Sequence, residues 1–366
     1  MENAVYAFQI DGVPVECEIF GHGHINYTLR VRTDTGAEYV LQQINKYVFK
    51  DPVRLMDNVS SVTAYLRERV SDPRAALHFL PTKDGKFYHV DENDQYWRMY
   101  DFVGGFCLDA PESDEDFYQS ALAFGRFQEM LADFPAATLF ETIPEFHNTV
   151  YRYGTFHDTI AADRCGRAAG VRQDIDFILS RKEDGSILQR MLNSGQLPLR
   201  VTHNDTKLNN VLLDKETRKF VCVLDLDTVM PGLSLYDYGD SIRFGAATAA
   251  EDEPDVDLMG LDLHLFEIYT RGYLEACPSL TQTEINMLPV GAKVITLELA
   301  MRFLTDYLDG DRYFKTNYPE HNLVRARAQM KLVADMEAKW DEMNRIVQRT
   351  AEQVRSASVR NTEELI

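Results

Sequence analysis

No run of apolar residues in this 366-residue chain is long enough to cross a bilayer, so a membrane partner is not expected. The opening residues, Met1 to Gly12, carry no basic segment ahead of an apolar one, and no secretory leader is expected there. Cysteine is scarce. Cys17, Cys107, Cys165, Cys222 and Cys277 are scattered and odd in number, which fits reduced thiols in a cytoplasmic protein and not a disulfide framework. Basic residues are outnumbered, 38 Lys and Arg against 58 Asp and Glu, for a formal net charge of −20. That balance repels a phosphate backbone, so nucleic acid is not an expected partner. It does not exclude a nucleotide, because a divalent cation and local lysines shape the field inside a cleft. Internal repeats and low-complexity linkers are absent as well.

What the chain does have is 45% hydrophobic residues, enough for a sizeable core, and a length that fits two domains or one large bilobal unit. Its organising stretch is 199–228, LRVTHNDTKLNNVLLDKETRKFVCVLDLDT. His203, Asp205 and Asn210 form H-x-D-x-x-x-x-N, the spacing of a kinase catalytic loop. The β-prone segments Val211–Leu213 and Phe220–Leu224 flank a turn-prone stretch and predict a hairpin. Folding it back brings Asp225 towards Asp205 and Asn210. Phosphoryl transfer asks a protein mainly to position the acceptor hydroxyl and to neutralise phosphate charge. Asp205 is the expected proton acceptor, and Lys207 sits where it can reach a γ-phosphate. Asn210 and Asp225 supply hard oxygens suited to magnesium. The plainer alternative is a polar loop after a strand, with Asn and Asp as turn formers.

Residues 5–45 read as a β region, opening with a hairpin over Phe8–Val15 that turns at Asp11-Gly12. A second turn, around Gly21, Gly23 and Asn26, leads into the alternating Tyr27, Leu29 and Val31; its amides are candidates to cover the phosphates of ATP. His22 and His24 lack a second ligand cluster and read as solvent-facing. On the next strand, Glu38–Asn45, kinases place a lysine. Here Gln42 occupies that position and Lys46 follows four residues later. A helix is expected from Pro52 through Arg69, then strands near Phe87–Val90 and Tyr96–Phe102. Gly104-Gly105 marks a junction, dividing a nucleotide lobe over 1–103 from a catalytic and substrate lobe over 104–366. Asp101 and Val103, just before it, are the candidates to present backbone groups to adenine.

Beyond the junction the pattern is mostly helical. Ser113 and Asp116 predict a capped start for a helix bearing Phe117, Phe124, Phe127 and Leu131. Helices are also expected around Asp176–Ile178 and over Ile187–Leu192. Asp237 and Asp240 read as helix caps that brace the catalytic loop, and 250–257 as a solvated acidic loop. Residues 260–309 are helical, and a terminal helix runs from about Asn322 to Val354. His147 and Arg152 are substrate candidates, with a packed structural histidine as the alternative. Arg302 and Asp306 share a helix face ahead of Tyr313, and a surface ion pair is the alternative there.

Together with Leu224-Asp225 and Tyr236-Asp-Tyr-Gly-Asp240, the 203–210 motif resembles the aminoglycoside phosphotransferase and choline kinase superfamily. GHGHINYTLRV, YVLQQIN, WRMYDFV, IPEFHNT, THNDTKLNNVLLD, VLDLDTVMPGLSLYDYGDSIRFG and RFLTDYLDGDRYFK are similar to bacterial N-acetylhexosamine 1-kinases. The resemblance spans roughly Gly21 to Lys315 and includes the glutamine on the third strand. It implies an α+β, bilobal, protein-kinase-like fold, with a small antiparallel-sheet N-lobe and a larger, mainly helical C-lobe. It also implies ATP and Mg2+, and transfer of the γ-phosphate to the anomeric hydroxyl of GlcNAc or GalNAc. Apart from the resemblance, a cytoplasmic monomer is expected. On it rest Arg302 and Tyr313 as sugar contacts and Asp306 as the group holding Arg302. The motif alone leaves open a kinase for choline, homoserine or an aminoglycoside, and a kinase-like pseudoenzyme.

Overall fold

The computed structural model describes residues 3–21 and 25–363. In chain order the elements are β1 (Pro14–Ile19), β2 (Tyr27–Thr33), β3 (Glu38–Ile44), α1 (Pro52–Arg67), β4 (His89–Val90) and β5 (Tyr96–Asp101). Then come α2 (Asp114–Met130), α3 (Thr149–Ala162), α4 (Arg172–Leu179), α5 (Lys182–Gly185), α6 (Ile187–Asn193), β6 (Arg200–Thr202), β7 (Val211–Leu213) and β8 (Phe220–Val223). After these follow α7 (Ser234–Gly245), α8 (Leu263–Ala276), α9 (Gln282–Asn286), α10 (Leu288–Asp309), α11 (His321–Ala338) and α12 (Trp340–Glu363). The fold is α+β, with the sheet early in the chain and helices dominating later. The chain forms two compact units: 1–107 with 133–144 and 210–231, and 108–132 with 145–209 and 232–366.

The first unit is built on an antiparallel sheet in the order β1-β2-β3-β5-β4. Alternation sorts its two faces. Leu29, Val31, Tyr39, Leu41, Trp97 and Met99 point to one side, where they bury against Val5, Phe8 and Leu80. Thr28, Gln42 and Arg98 point to the other and stand directly opposite one another, since Thr28 pairs Gln42 and Gln42 pairs Arg98 in register. The expected hairpin over Phe8–Val15 does not form. Phe8 bridges Thr82 instead, β1 begins at Pro14, and β1 pairs with β2. Gly12 does turn the chain, at φ +82°, but towards a different partner strand.

Asp51 caps α1 by accepting from Arg54 N, and Pro52 opens its first turn. The helix buries Leu55, Val59, Val62 and Leu66, two residues shorter than the sequence pattern at its end. A buried amide, Asn58, ties it to two other segments: Nδ2 donates to Phe140 O (2.8 Å) and to Val229 O (3.0 Å), and Oδ1 accepts from Phe140 N (2.9 Å). The hairpin β7–β8 is locked to the chain at Phe106, which exchanges backbone hydrogen bonds of 3.0 and 2.8 Å with Leu213.

In the second unit α10 is the hub, and nearly all of its residues are buried. A helix apolar on all sides belongs in a core. Its close approach to α7 needs two glycines. A Cβ on Gly239 would meet Gly291 O at 2.5 Å, and one on Gly291 would meet Leu235 O at 2.7 Å. Ser113 caps α2 as expected. The expected terminal helix is two helices, parted at Lys339, whose φ of −98° and ψ of 11° leave helical geometry. Their apolar seam, Ala326, Met330, Val333, Met336, Met343, Val347 and Ala351, is buried by packing on α8, α9 and α10. The acidic loop after α7 is not merely solvated: Glu251 pairs with buried Arg243 and Asp252 with buried His321. All five cysteines are free thiols. Among the described residues no helix is long and apolar enough to cross a membrane.

Candidate active site

The loop after β6 is held from behind by α7. Asp237, fully buried, accepts from His203 N (2.9 Å), Asn204 N (2.8 Å) and Gln128 Nε2 (2.7 Å). Asp240 accepts from Thr206 N (3.0 Å) and from Nε and Nη2 of Arg243 (3.1 and 2.8 Å). Thr206 Oγ1 donates to Asp237 O (2.6 Å), and Ser241 Oγ to Thr206 O (2.9 Å). Neither acid is the helix cap that the sequence suggests, because Leu233 occupies that position. They cap the loop instead. Burial pushes the Asp237 carboxyl up despite its donors. Burial acts the same way on Asp240, but the charges of Arg243 and Lys207 outweigh it and hold that carboxyl below its ordinary value.

This bracing fixes a sharp turn, with Asn204 at φ +65°. His203 is sealed beneath it, edge-on to Phe124 and Phe127. Asp205 and Lys207 emerge half-buried, with Lys207 Nζ 2.9 Å from Asp205 Oδ1. The Asp205 charge, followed by those of Asp240 and Glu251, raises the lysine's affinity for its proton. Asp205 and Lys207 belong to the second unit, and Asn210 and Asp225 to the first.

Within the first unit the hairpin does bring Asn210 and Asp225 together. The ladder pair Val211–Val223 is extended by Leu224 N donating to Asn210 O at 2.8 Å, one residue short of Asp225. Asp225 itself is left-handed at φ +53°, a conformation that persists in a non-glycine residue only where its surroundings enforce it. A carboxylate and an amide oxygen on one hairpin end are a donor set for a hard divalent ion. No group of three or more His, Cys, Asp or Glu among the described residues could hold a metal unaided. Two oxygens fit an ion that arrives with phosphate and water completing its shell.

Gly21 lies in the β1–β2 turn at φ +79°, while Gly23, with His22 and His24, lies outside the described residues. Asn26 Nδ2 donates to Asp227 Oδ2 (2.6 Å), and its Oδ1 accepts from Asn45 N (3.0 Å). Gln42 Nε2 donates to Thr28 Oγ1 (3.1 Å), and its Oε1 accepts from Arg98 Nε (3.0 Å). Lys46 turns away to Asp94. Asp101 spends its amide on His78 O, and its carboxylate lies 2.7 Å from His78 Nδ1. Val103 follows in half-buried chain beyond β5.

A pocket of about 400 Å³ in the second unit opens between α3 and α10, lined by Arg152, Thr155, Arg302, Asp306 and Tyr313 among others. The Arg302 guanidinium lies over Phe146, Tyr313 and Phe314 at 4.8, 5.7 and 5.6 Å. Its acidic partner is Glu298, 3.6 Å away and four residues earlier, not Asp306. Asp306 is committed elsewhere: it accepts from the amides of Arg312, Tyr313 and Phe314 (2.8, 2.8 and 2.9 Å) and from Asn322 Nδ2 (2.9 Å). It builds the turn that carries Tyr313. Glu298 also lies 3.1 Å from His147 Nδ1. Burial alone would raise the Glu298 carboxyl, but His147 and Arg302 outweigh it and hold it below its ordinary value. His147 Nε2 is buried without a hydrogen-bond partner. Arg152 donates through Nε and Nη2 to Phe146 O (3.1 and 2.9 Å).

The sequence reading did not find Glu298, Arg98 or Asp227. Glu298 had a signal, its i,i+4 relation to Arg302. Arg98 was concealed inside an apolar strand, and Asp227 behind the more conspicuous Asp225.

A braced H-x-D loop, an Asn–Asp hairpin end and a kinase-like α+β fold define a phosphotransferase. The profile of the phosphotransferase enzyme family matches residues 16–273, and the chain belongs to that family. Among solved structures it is similar to a microcompartment-associated aminopropanol kinase (17% identity, 93% of this chain and 97% of that one, TM-score 0.64). It is also similar to a Plasmodium vivax ethanolamine kinase (15%, 86% and 82%, TM-score 0.54). A third is an amicoumacin kinase in complex with AMP-PNP and Ca2+ (13%, 89% and 90%, TM-score 0.56). These likenesses are of fold.

Proposed function

We propose that the protein is an ATP-dependent small-molecule kinase that phosphorylates the anomeric hydroxyl of an N-acetylhexosamine. The observation that carries the kinase reading is the Asp205 loop, whose amides are held by two buried acids of α7. Such preorganisation suits a reaction in which positioning does most of the work. Asp205 accepts the proton of the acceptor hydroxyl as its oxygen bonds to the γ-phosphorus and the bond to the β-phosphate oxygen breaks, leaving ADP. Lys207 faces the transferring phosphate. Asn210 and Asp225 hold Mg2+, which neutralises charge on the phosphates when bound. Gly21, Gly23 and Asn26 cover the nucleotide, Gln42 stands at the third-strand position, and Asp101 and Val103 flank the base. A nucleotide analogue and a divalent cation bound in the similar amicoumacin kinase support ATP and a metal here.

The sugar reading rests on the resemblance of the segments around these motifs and on the chemistry of the α3–α10 pocket. Arg302 and Arg152 offer donors to hydroxyl and acetamido oxygens, and Tyr313 offers a ring face to a pyranose. His147 lies behind Arg302 through their shared Glu298. Two guanidiniums repel one another at this site, and burial with Arg302 beside it weakens the hold of Arg152 on its proton. The test is ADP release over a panel of GlcNAc, GalNAc, ethanolamine, choline, homoserine and an aminoglycoside. Turnover confined to the amino alcohols would overturn the sugar reading.

A further inference from the structure

Kinases of this general design commonly carry a third-strand lysine whose ion pair with an acid keeps the nucleotide site assembled. Gln42 stands there instead, and it is not idle. It sits in the cross-strand row Thr28–Gln42–Arg98 and accepts from Arg98 Nε at 3.0 Å. Arg98 Nη1 in turn donates to Asp227 Oδ1. Both charged side chains are almost wholly inaccessible, 2% for Arg98 and 3% for Asp227. Asp227 closes the circuit through its other oxygen, which accepts from Asn26 Nδ2 at 2.6 Å. Its carbonyl accepts from Thr142 Oγ1 at 3.1 Å, and two residues on Val229 O accepts from Asn58 of α1.

We propose that the buried Arg98–Asp227 ion pair is the positioning device of the nucleotide site, standing in for the absent third-strand lysine. It joins four pieces of the first unit: β3 through Gln42, β5 through Arg98, the residue before β2 through Asn26, and the turn after β8 through Asp227. The inference rests on the reading that this unit binds a nucleotide with Mg2+.

Two physical arguments support it. Asp225 and Asp227 are two residues apart, and the field of both carboxylates falls on Arg98. By binding one of them, the guanidinium relieves like-charge repulsion in the turn. Second, the left-handed Asp225 needs neighbours that over-determine its backbone, and Asp227, held through both oxygens and its carbonyl, supplies that constraint. A pair buried this deeply is no sign of stability in itself, since an apolar pair of similar volume often does as well. That makes a positioning role separable from a packing role.

The experiment uses the double variant R98M/D227N, which removes both buried charges together. Its Tm, its affinity for ATP with Mg2+ by isothermal titration calorimetry, and its half-saturating Mg2+ concentration are compared with wild type. The proposal expects a Tm near the wild-type value with Mg-ATP affinity reduced by roughly 10–100-fold, the usual cost of losing an outer-shell partner of a metal ligand. Adding Q42K to R98M, which restores a lysine to the third strand, is expected to recover much of the affinity. Wild-type affinity and Mg2+ dependence in the stable double variant would overturn the proposal. Should that variant not fold, R98K decides: it keeps the charge but cannot bridge Gln42 and Asp227 together, so unchanged affinity overturns the proposal and weakened affinity at a near-native Tm upholds it. A wild-type protein that fails to bind Mg-ATP would sink the nucleotide reading itself, an outcome distinct from a variant that binds normally.

Discussion

Lys207 Nζ lies 2.9 Å from Asp205 Oδ1 on a loop whose amides are held by Asp237 and Asp240. The pair puts a carboxylate and a cation side by side on a braced backbone, and the carboxylate is the proposed base. Asp205→Asn keeps the shape and removes the base. The expected result is a kcat lower by about 10²–10⁴-fold with affinity for ATP largely unchanged. Stopped-time ADP assays beside nucleotide titrations check it, and turnover within a few-fold of wild type removes Asp205 from the mechanism.

Asp225 makes a separate claim, on the metal. Asp225→Ala leaves Asn210 as the sole proposed protein ligand from this hairpin, so activity should drop steeply. It should also recover less than wild type does when magnesium is raised. Circular dichroism run alongside distinguishes a lost ligand from a lost fold. A folded, active variant with a normal magnesium curve contradicts the assignment.

Asp306 and Arg302 were joined in the sequence reading and are parted in the structure, and their variants should part likewise. Asp306→Ala orphans three backbone amides and leaves Asn322 Nδ2 with Asp311 alone, and each lost partner costs about 1–3 kcal/mol when buried. A marked fall in Tm is expected. Arg302→Ala should instead raise KM for the hexosamine well above any change in KM for ATP, because it removes binding to one substrate. Equal, small changes in both constants would take Arg302 out of the acceptor site.

Glu298 gives the pH signature. Its carboxyl is held below the ordinary value of 4.5 in the folded protein, because the hydrogen bond from His147 and the Arg302 guanidinium help to outweigh burial. A depressed acid contributes stability that is present above its unfolded pKa and lost as pH falls through the folded one. Glu298→Gln should therefore be less stable than wild type near neutrality, by roughly 3–5 kcal/mol for a broken buried pair. The gap should narrow as the pH drops below about 4.5. Denaturant titrations at several pH values measure it; a gap independent of pH would refute this account of the cluster.

How much of this was legible depended on whether a feature was local. The β7–β8 hairpin and the Ser113 cap are set by neighbours within a few residues, and each was readable; the H-x-D-x-x-x-x-N motif was readable from its spacing, although α7, more than thirty residues on, holds the loop. So was the bracing by Asp237 and Asp240, although their role as caps of their own helix was not. The first hairpin failed because Asp11-Gly12 turns the chain without pairing the strands on either side of it. Register with β2 decided that outcome, and register is a long-range property. Arg98 was missed for a similar reason. Its meaning lies in what stands across the sheet, Gln42 on one strand and Asp227 more than a hundred residues away. Arg302 was legible, but its acidic partner is Glu298, one turn before it, and not Asp306, one turn after it.

The most direct measurement is an acceptor assay with product identification. The protein is incubated with ATP, Mg2+ and either GlcNAc or GalNAc, or with the corresponding methyl glycosides, and the products are read by phosphorus NMR. The expected result is a glycosyl 1-phosphate from at least one free sugar and no product when the anomeric oxygen is methylated. Phosphorylation of the methyl glycosides at a rate like that of the free sugars, or turnover of amino alcohols alone, would contradict it.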